Sequence, residues 1–160
     1  MKVLAGSLAV ALAAQLIVPL GAVPLTLQSL AVLLAGAWLG PGRGAACLAL
    51  YLVAAALGAP VLAGGEGGLA QMGGPSAGYL WGFLPAAAAA GWMHENGCPP
   101  LLTMAGGTAV ILLCGVPWLA YLLDPSTAVW QGLVLVLPGA TIKVLLGAAI
   151  LMAGKKFGPD

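Results

Sequence analysis

The hydrophobic positions of this chain form long runs, which polar or glycine-rich segments separate. A helix needs about 20 apolar residues to cross about 30 Å of hydrocarbon. We predict six membrane spans, which are Val3–Leu20, Val23–Leu39, Gly44–Leu57, Ser76–Met93, Leu101–Leu123 and a last run that contains Leu133–Ile150. The pattern therefore predicts an all-α, polytopic membrane protein with about six transmembrane helices, in which residues 1–160 form a single integral-membrane domain.

The start of the last span has two interpretations. A helix that begins near Thr127 would place Lys143 near the middle of the membrane. A helix that begins at Pro138 and Gly139 would place Lys143 in its second turn, and proline at the first helical position favours this interpretation.

Composition agrees with a membrane protein, because 62% of the residues are hydrophobic and 6% are charged. Soluble domains carry about 25% charged residues. A net charge of +1 argues against a basic nucleic-acid surface. Three cysteines without motif spacing and a single histidine indicate neither a metal site nor a cofactor. The first run could instead be a cleaved signal peptide, but its length and its weak cleavage signal favour a span.

The charges outside the runs predict an orientation. Cytoplasmic loops are enriched in lysine and arginine. Four basic residues lie outside the hydrophobic runs. If the N-terminus is cytoplasmic and the chain crosses the membrane six times, all four lie on the cytoplasmic side: Lys2, Arg43, Lys155 and Lys156. Glu66 and Asp124 then lie on the external side of the membrane. Both termini are thus predicted to be cytoplasmic.

Lys143 is the only charged residue between Leu133 and Ile150. An ammonium at membrane depth costs a few kcal/mol or more, so it usually faces a protein interior, pairs, or is functional. We can name no acidic partner for it in the sequence, and a ligand carboxylate would supply the missing charge. The alternative is that Lys143 extends toward an interface without binding anything.

The segment between the third and fourth spans, Gly58–Gly78, is rich in glycine. It is predicted to be external. Irregular backbone at membrane depth persists only where it is buried in protein or lines a cavity. No phosphate-binding motif is present, and the alternative is a flexible linker. The predicted outer halves of the spans also carry the polar or aromatic residues Gln15, Thr26, Gln28, Tyr79 and Trp81.

Several stretches together resemble the BioY family, the substrate-binding S-components of biotin transporters of the energy-coupling factor (ECF) type. These stretches are Val23–Gln28, Leu33–Pro41, Gly58–Val61, Gly64–Gly68, Gly74–Phe83 and Pro138–Lys143. The resemblance covers nearly the whole chain in the order of the family. It implies a six-helix, multi-pass S-component in a prokaryotic cell membrane, which binds biotin near its outer face.

The resemblance also implies partners and site residues. The partners would be a transmembrane coupling subunit and two cytoplasmic ATPase subunits. Since this chain has no Walker motif, the energy for transport would have to come from such partners. Lys143 is expected to bind the biotin carboxylate, and the rest of the expected site is Gln28, Gly74, Ser76, Tyr79 and Thr141. Small residues at every fourth position let helices approach closely. The first span has such a face at Ala5, Ala9 and Ala13, and this face resembles the family's docking surface for the coupling subunit.

The chain departs from the family at Ala140, where the family usually has an aspartate three residues before the lysine. Thr141 or backbone carbonyls are expected to compensate, or the ligand is a different carboxylate-bearing vitamin. An intramembrane enzyme would need a nucleophile with a base, or a metal cluster, and the chain offers neither pattern. The remaining alternative is a structural or channel-like membrane protein. A channel would need polar residues along its whole path, whereas those of this chain are confined to the predicted outer halves of the spans.

Overall fold

The computed structural model describes residues 1–19 and 23–157 of the chain. Within these residues, the architecture is built from six helices of 12 to 23 residues. They are α1 (Lys2–Ala14), α2 (Gln28–Leu39), α3 (Pro41–Ala56), α4 (Ala77–Glu95), α5 (Pro100–Leu122) and α6 (Leu137–Phe157). The predicted helical architecture is confirmed at this level.

A short β-hairpin follows the first helix and corrects the all-α prediction. Strand β1 (Ile17–Val18) pairs antiparallel with β2 (Leu25–Thr26). The predicted span Val3–Leu20 is therefore too long: α1 ends at Ala14, and Leu20 itself lies outside the described residues. Pro19 disfavours the helical conformation for the residue before it, so a local strand pair satisfies the backbone here instead.

The second helix also starts later than predicted, at Gln28 rather than Val23. Pro24, the second residue of the predicted span, lies directly before strand β2. The third helix begins at Pro41. Proline suits the first helical position, because its fixed φ is helical and an N–H at that position would have no partner within the helix.

The connection between α5 and α6 is helical but irregular. The Asp124 carboxylate accepts a hydrogen bond from the Thr127 backbone N–H at 2.9 Å and so caps a single turn, Pro125–Thr127. A π-helical stretch, Ala128–Val134, follows. Helix α6 then starts at Leu137, so Pro138 is its second residue and Lys143 lies in its second turn.

Helix α4 is central and packs against α2, α3 and α5. Its contact with α5 is close because Gly78 and Gly82 present no side chain there. A Cβ on Gly82 would lie 2.8 Å from the Cβ of Cys114, which is too close for any larger residue. The GxxxG spacing in the sequence therefore marks a helix–helix contact.

The outer surface is strongly apolar. On α1 and just after it, Leu4, Leu8, Leu12 and Leu16 are 57–71% exposed. Two helical segments are individually long and apolar enough to cross a membrane, Pro100–Leu122 and Pro125–Gly154. Helices α1, α2 and α3 have 12 to 16 residues and extend about 18–24 Å, less than the thickness of the hydrocarbon core.

Candidate ligand-binding site

A cavity of about 230 Å³ lies between α2, α4, α5, α6 and the glycine-rich segment. Most of its lining is apolar, and a few polar side chains face into it. This combination is typical of small-molecule sites, where apolar walls supply affinity and a few polar groups fix orientation. The polar side chains in the lining are Thr26, Gln28, Ser29, Glu66, Gln71, Ser76, Tyr79, Thr108 and Lys143.

The Lys143 ammonium reaches this cavity from α6. Its Nζ donates to the backbone carbonyl oxygen of Thr26 at 3.1 Å and to Ser29 Oγ at 2.6 Å. Both acceptors are neutral, so they orient the ammonium without cancelling its charge. The side chain is partly buried. The cavity thus holds a fixed, partly desolvated cation, which suits an anionic ligand group.

Gln28 belongs to a hydrogen-bond chain that connects three elements. Its Nε2 donates to the Tyr51 hydroxyl at 2.7 Å, and that hydroxyl donates to the Val61 carbonyl oxygen at 3.0 Å. Tyr51 is 1% exposed and lies on α3. An amide has two donor hydrogens and one acceptor oxygen. Tyr51 engages one of these donor hydrogens, and Gln28 also belongs to the cavity lining.

Tyr79 joins α4 to the π-helical stretch. Its hydroxyl donates to the Gly132 carbonyl oxygen at 2.9 Å. The ring packs against Gly115 and Gly132, where a Cβ would collide with it. These contacts fix one rotamer of the ring, so Tyr79 presents a rigid aromatic face to the cavity.

The glycine-rich segment is packed onto the helices through its backbone. Three side-chain N–H groups donate to its carbonyl oxygens: Gln15 to Leu62 at 3.0 Å, Trp81 to Met72 at 3.2 Å, and Trp118 to Gly74 at 2.9 Å. Such bonds satisfy irregular backbone that has no ladder of its own. The segment is therefore a wall of the cavity, and the linker alternative is not supported.

Four of the predicted binding residues line the cavity: Gln28, Ser76, Tyr79 and Lys143. Gly74 and Thr141 lie outside its lining. Gly74 contributes its carbonyl to Trp118 instead. Thr141 is exposed, and its hydroxyl donates to the Leu137 carbonyl oxygen at 2.9 Å, so it turns away from the cavity. The neighbouring Ala140 does line it and leaves space there.

Other lining residues were not in the predicted site. Thr26 and Ser29 are polar residues near the start of the second predicted span, close to Gln28, so both were visible in the sequence. Glu66 was also visible, as the one acid of the glycine-rich segment. Nothing in the sequence singled out Thr108, because a threonine inside an apolar helix commonly bonds its own backbone, as its hydroxyl does to Met104 O at 2.8 Å.

The described residues contain no group of three or more histidine, cysteine, aspartate or glutamate side chains that could hold a metal ion. The predicted docking residues lie on another surface. Ala5 and Ala9 are exposed on α1, whereas Ala13 is partly buried. Their face lies beside the exposed leucines of the same helix.

Comparison with known proteins identifies close relatives. The biotin transporter BioY of Rhodobacter capsulatus is 35% identical over 161 residues, which cover 89% of this chain and 85% of that protein. The probable biotin transporter BioY of Pyrococcus horikoshii is 45% identical over 107 residues, or 67% of this chain and 65% of that protein. Both relatives are named as transporters.

The fold has a counterpart among solved structures. A crystal structure of the S-component for biotin from an ECF-type ABC transporter superposes with a TM-score of 0.81 at 28% sequence identity, covering 98% of this chain and 89% of that one. The sequence matches the BioY family over residues 1–160. This chain is therefore a membrane protein that belongs to the BioY family of transporter components.

Proposed function

We propose that this protein is the membrane-embedded substrate-binding component of a biotin uptake system. The observation that carries the proposal is the cavity, in which one ammonium is held between neutral oxygens beside largely apolar walls. Biotin has the matching chemistry, with a carboxylate at one end, an apolar chain and ring, and a cyclic urea. The family and the names of the relatives support this ligand.

In this proposal, Lys143 binds the carboxylate of biotin. Thr26 and Ser29 hold the ammonium in position, so little side-chain entropy is lost when the ligand arrives. Tyr79 provides an aromatic surface, and Gln28 and Ser76 offer hydrogen-bonding groups to the ligand. Ala140 leaves space beside Lys143. A different carboxylate-bearing vitamin is the alternative ligand, and binding experiments distinguish the two.

The protein crosses a prokaryotic plasma membrane several times, with both termini in the cytoplasm and the glycine-rich segment outside. The basic residues outside the helices support this orientation through the positive-inside rule. The cavity then lies near the external side and captures biotin there. Short helices such as α2 are accommodated by local thinning of the bilayer or by neighbouring subunits.

A transmembrane coupling subunit and two cytoplasmic ATPase subunits complete the transporter and deliver the ligand inward. Ala5, Ala9 and Ala13 on α1 form the docking face, because small side chains allow a partner helix to approach closely. Replacing Ala9 by tryptophan should abolish co-purification with the coupling subunit and leave biotin binding intact. Loss of biotin binding in the same variant would contradict a separate docking face.

The test of the ligand is calorimetry or native mass spectrometry of the purified protein. Biotin, desthiobiotin, biotin methyl ester and unrelated vitamins are compared under one set of conditions. We expect saturable binding of biotin and desthiobiotin, and much weaker binding of the methyl ester, which lacks the carboxylate charge. If biotin does not bind while another carboxylate vitamin does, the cavity is retained and the ligand assignment is wrong.

A further inference from the structure

Glu66 occupies a defined position at the edge of the cavity. It follows the short 3-10 turn Ala63–Gly65 and has an extended backbone. Its carbonyl oxygen accepts a hydrogen bond from the Leu62 backbone N–H at 2.9 Å, which closes a small loop and fixes the main chain. The side chain is exposed and belongs to the cavity lining. The closed loop thus fixes the point on the main chain from which the Glu66 side chain extends.

Lys143 and Glu66 are the two charged residues among those that line this cavity. They come from different walls, Lys143 from α6 and Glu66 from the glycine-rich segment. The hydrogen bonds of Lys143 go to Thr26 and Ser29, so its charge is not used to bind Glu66. The cavity therefore presents a cation on one wall and an anion on another.

An ionised carboxylate only accepts hydrogen bonds, so it selects a ligand group with N–H donors. It also repels a ligand carboxylate, which disfavours the reversed orientation. A molecule with an acid at one end and N–H donors at the other satisfies both charges in one orientation. A cyclic urea supplies such donors.

We propose that Glu66 is a specificity-determining residue that accepts hydrogen bonds from the N–H donors of the ligand and orients the ligand carboxylate toward Lys143. This inference rests on the proposed function, because it concerns the same cavity. It assigns the urea end of the ligand to the glycine-rich wall and the acid end to α6. It also gives the chain an acidic residue at its site although position 140 is alanine.

The test measures ligand affinity by calorimetry for the parent protein and for Glu66→Gln and Glu66→Ala. Two ligands are compared: biotin and 5-(tetrahydrothiophen-2-yl)pentanoic acid, which retains the sulfur ring and the acid chain but lacks the urea. Glu95→Gln is the matched control, since Glu95 is an exposed glutamate at the C-terminal end of α4 and is absent from the cavity lining.

We expect Glu66→Ala to weaken biotin binding about tenfold or more, the usual effect of losing a hydrogen bond to a charged group. Glu66→Gln should weaken it less, because the amide oxygen still accepts. Neither variant should weaken binding of the acid without urea, and the control should match the parent. An unchanged or increased biotin affinity in Glu66→Ala, or an equal loss for both ligands, would overturn the role of Glu66. Failure of the parent to bind biotin would instead overturn the proposed function.

Discussion

The two walls of the cavity hold their polar groups in place by different means. On the helical wall, formed by α2 and α6, a side chain provides the polar contact. Lys143 extends from α6 and donates to Ser29 Oγ on α2 and to the Thr26 carbonyl oxygen on β2, just before α2. On the loop wall, formed by residues 61–76, backbone conformation provides the shape, and distant side chains such as Trp118 bind its carbonyl oxygens.

Because of this difference, substitutions on the two walls should affect ligand affinity and protein stability separately. Substitution on the helical wall changes the charge that meets the ligand and leaves the backbone hydrogen bonds of α2 and α6 intact. Substitution of a residue that supports the loop wall leaves backbone polar groups without partners, which costs stability. The following variants test this separation, from the largest expected effect to the smallest.

Lys143→Met should produce the largest loss of affinity. Removing one partner of a desolvated charge pair costs about 2–5 kcal/mol of binding free energy, so biotin should bind far more weakly in calorimetry. Methionine has a similar length and no charge to desolvate. The Thr26 carbonyl and the Ser29 hydroxyl lose Lys143 as a partner but line the cavity, where water can bond them, so the melting temperature should change little.

Two controls accompany the Lys143 measurement. Biotin methyl ester should bind parent and variant with similar affinity, because it lacks the charge that Lys143 binds. Arg43→Met, at an exposed position near the start of α3, should behave like the parent. Unchanged biotin affinity in Lys143→Met would contradict the assignment of the helical wall.

Neighbouring positions on α6 should differ sharply. Ala140→Leu adds three carbons to the cavity lining, and overpacking of this kind costs about 1–3 kcal/mol, which should appear as weaker biotin binding. Thr141→Ala removes an exposed hydroxyl that bonds Leu137, so its effect should stay within about 0.5 kcal/mol. The reverse order of effects would show that Thr141, and not Ala140, faces the ligand.

Tyr51→Phe should weaken the support of the loop wall. The change leaves an N–H of Gln28 and the Val61 carbonyl without their partner, at a cost of about 1–3 kcal/mol in the free energy of unfolding. We expect a lower melting temperature and faster hydrogen exchange in residues 61–66. Tyr121→Phe is the matched control, because Tyr121 is 82% exposed. Equal exchange in both variants would mean that the Tyr51 hydroxyl does not hold the segment.

The smallest effect concerns the turn before α6, outside both walls. Hydrogen bonds from Ser126 and Thr127 lower the pKa of Asp124 to about 2. Since an unfolded aspartate has a pKa of about 4, this group stabilises the fold above that pH and the contribution is lost as the pH falls toward 2. Asp124→Asn should therefore flatten the decline of the melting temperature between about pH 4 and pH 2, while the cap itself is kept. Identical profiles for parent and variant would contradict this.

The sequence by itself determined the helical architecture and the presence of a costly cation in the last helix. Hydrophobic runs and their breaks are local properties, so they predicted six helices and the wall-forming role of the glycine-rich segment. The resemblance to the BioY family rested on the same local motifs. The end of α1 and the start of α2 were less well predicted. A short strand pair lies between these helices, next to Pro19 and Pro24, and apolar composition does not reveal it.

Only the tertiary structure decided which side chains share the cavity. Lys143 meets a carbonyl 117 residues earlier in the chain, and Tyr51 connects α2 to the glycine-rich segment. Ala140 and Thr141 are adjacent and equally plausible in sequence, yet one faces the cavity and the other does not, because helix rotation is set by packing against α2 and α5. The charges of Lys143 and Glu66 were visible in the sequence, whereas the neutral partners of Lys143 and the cavity that both residues line required the fold.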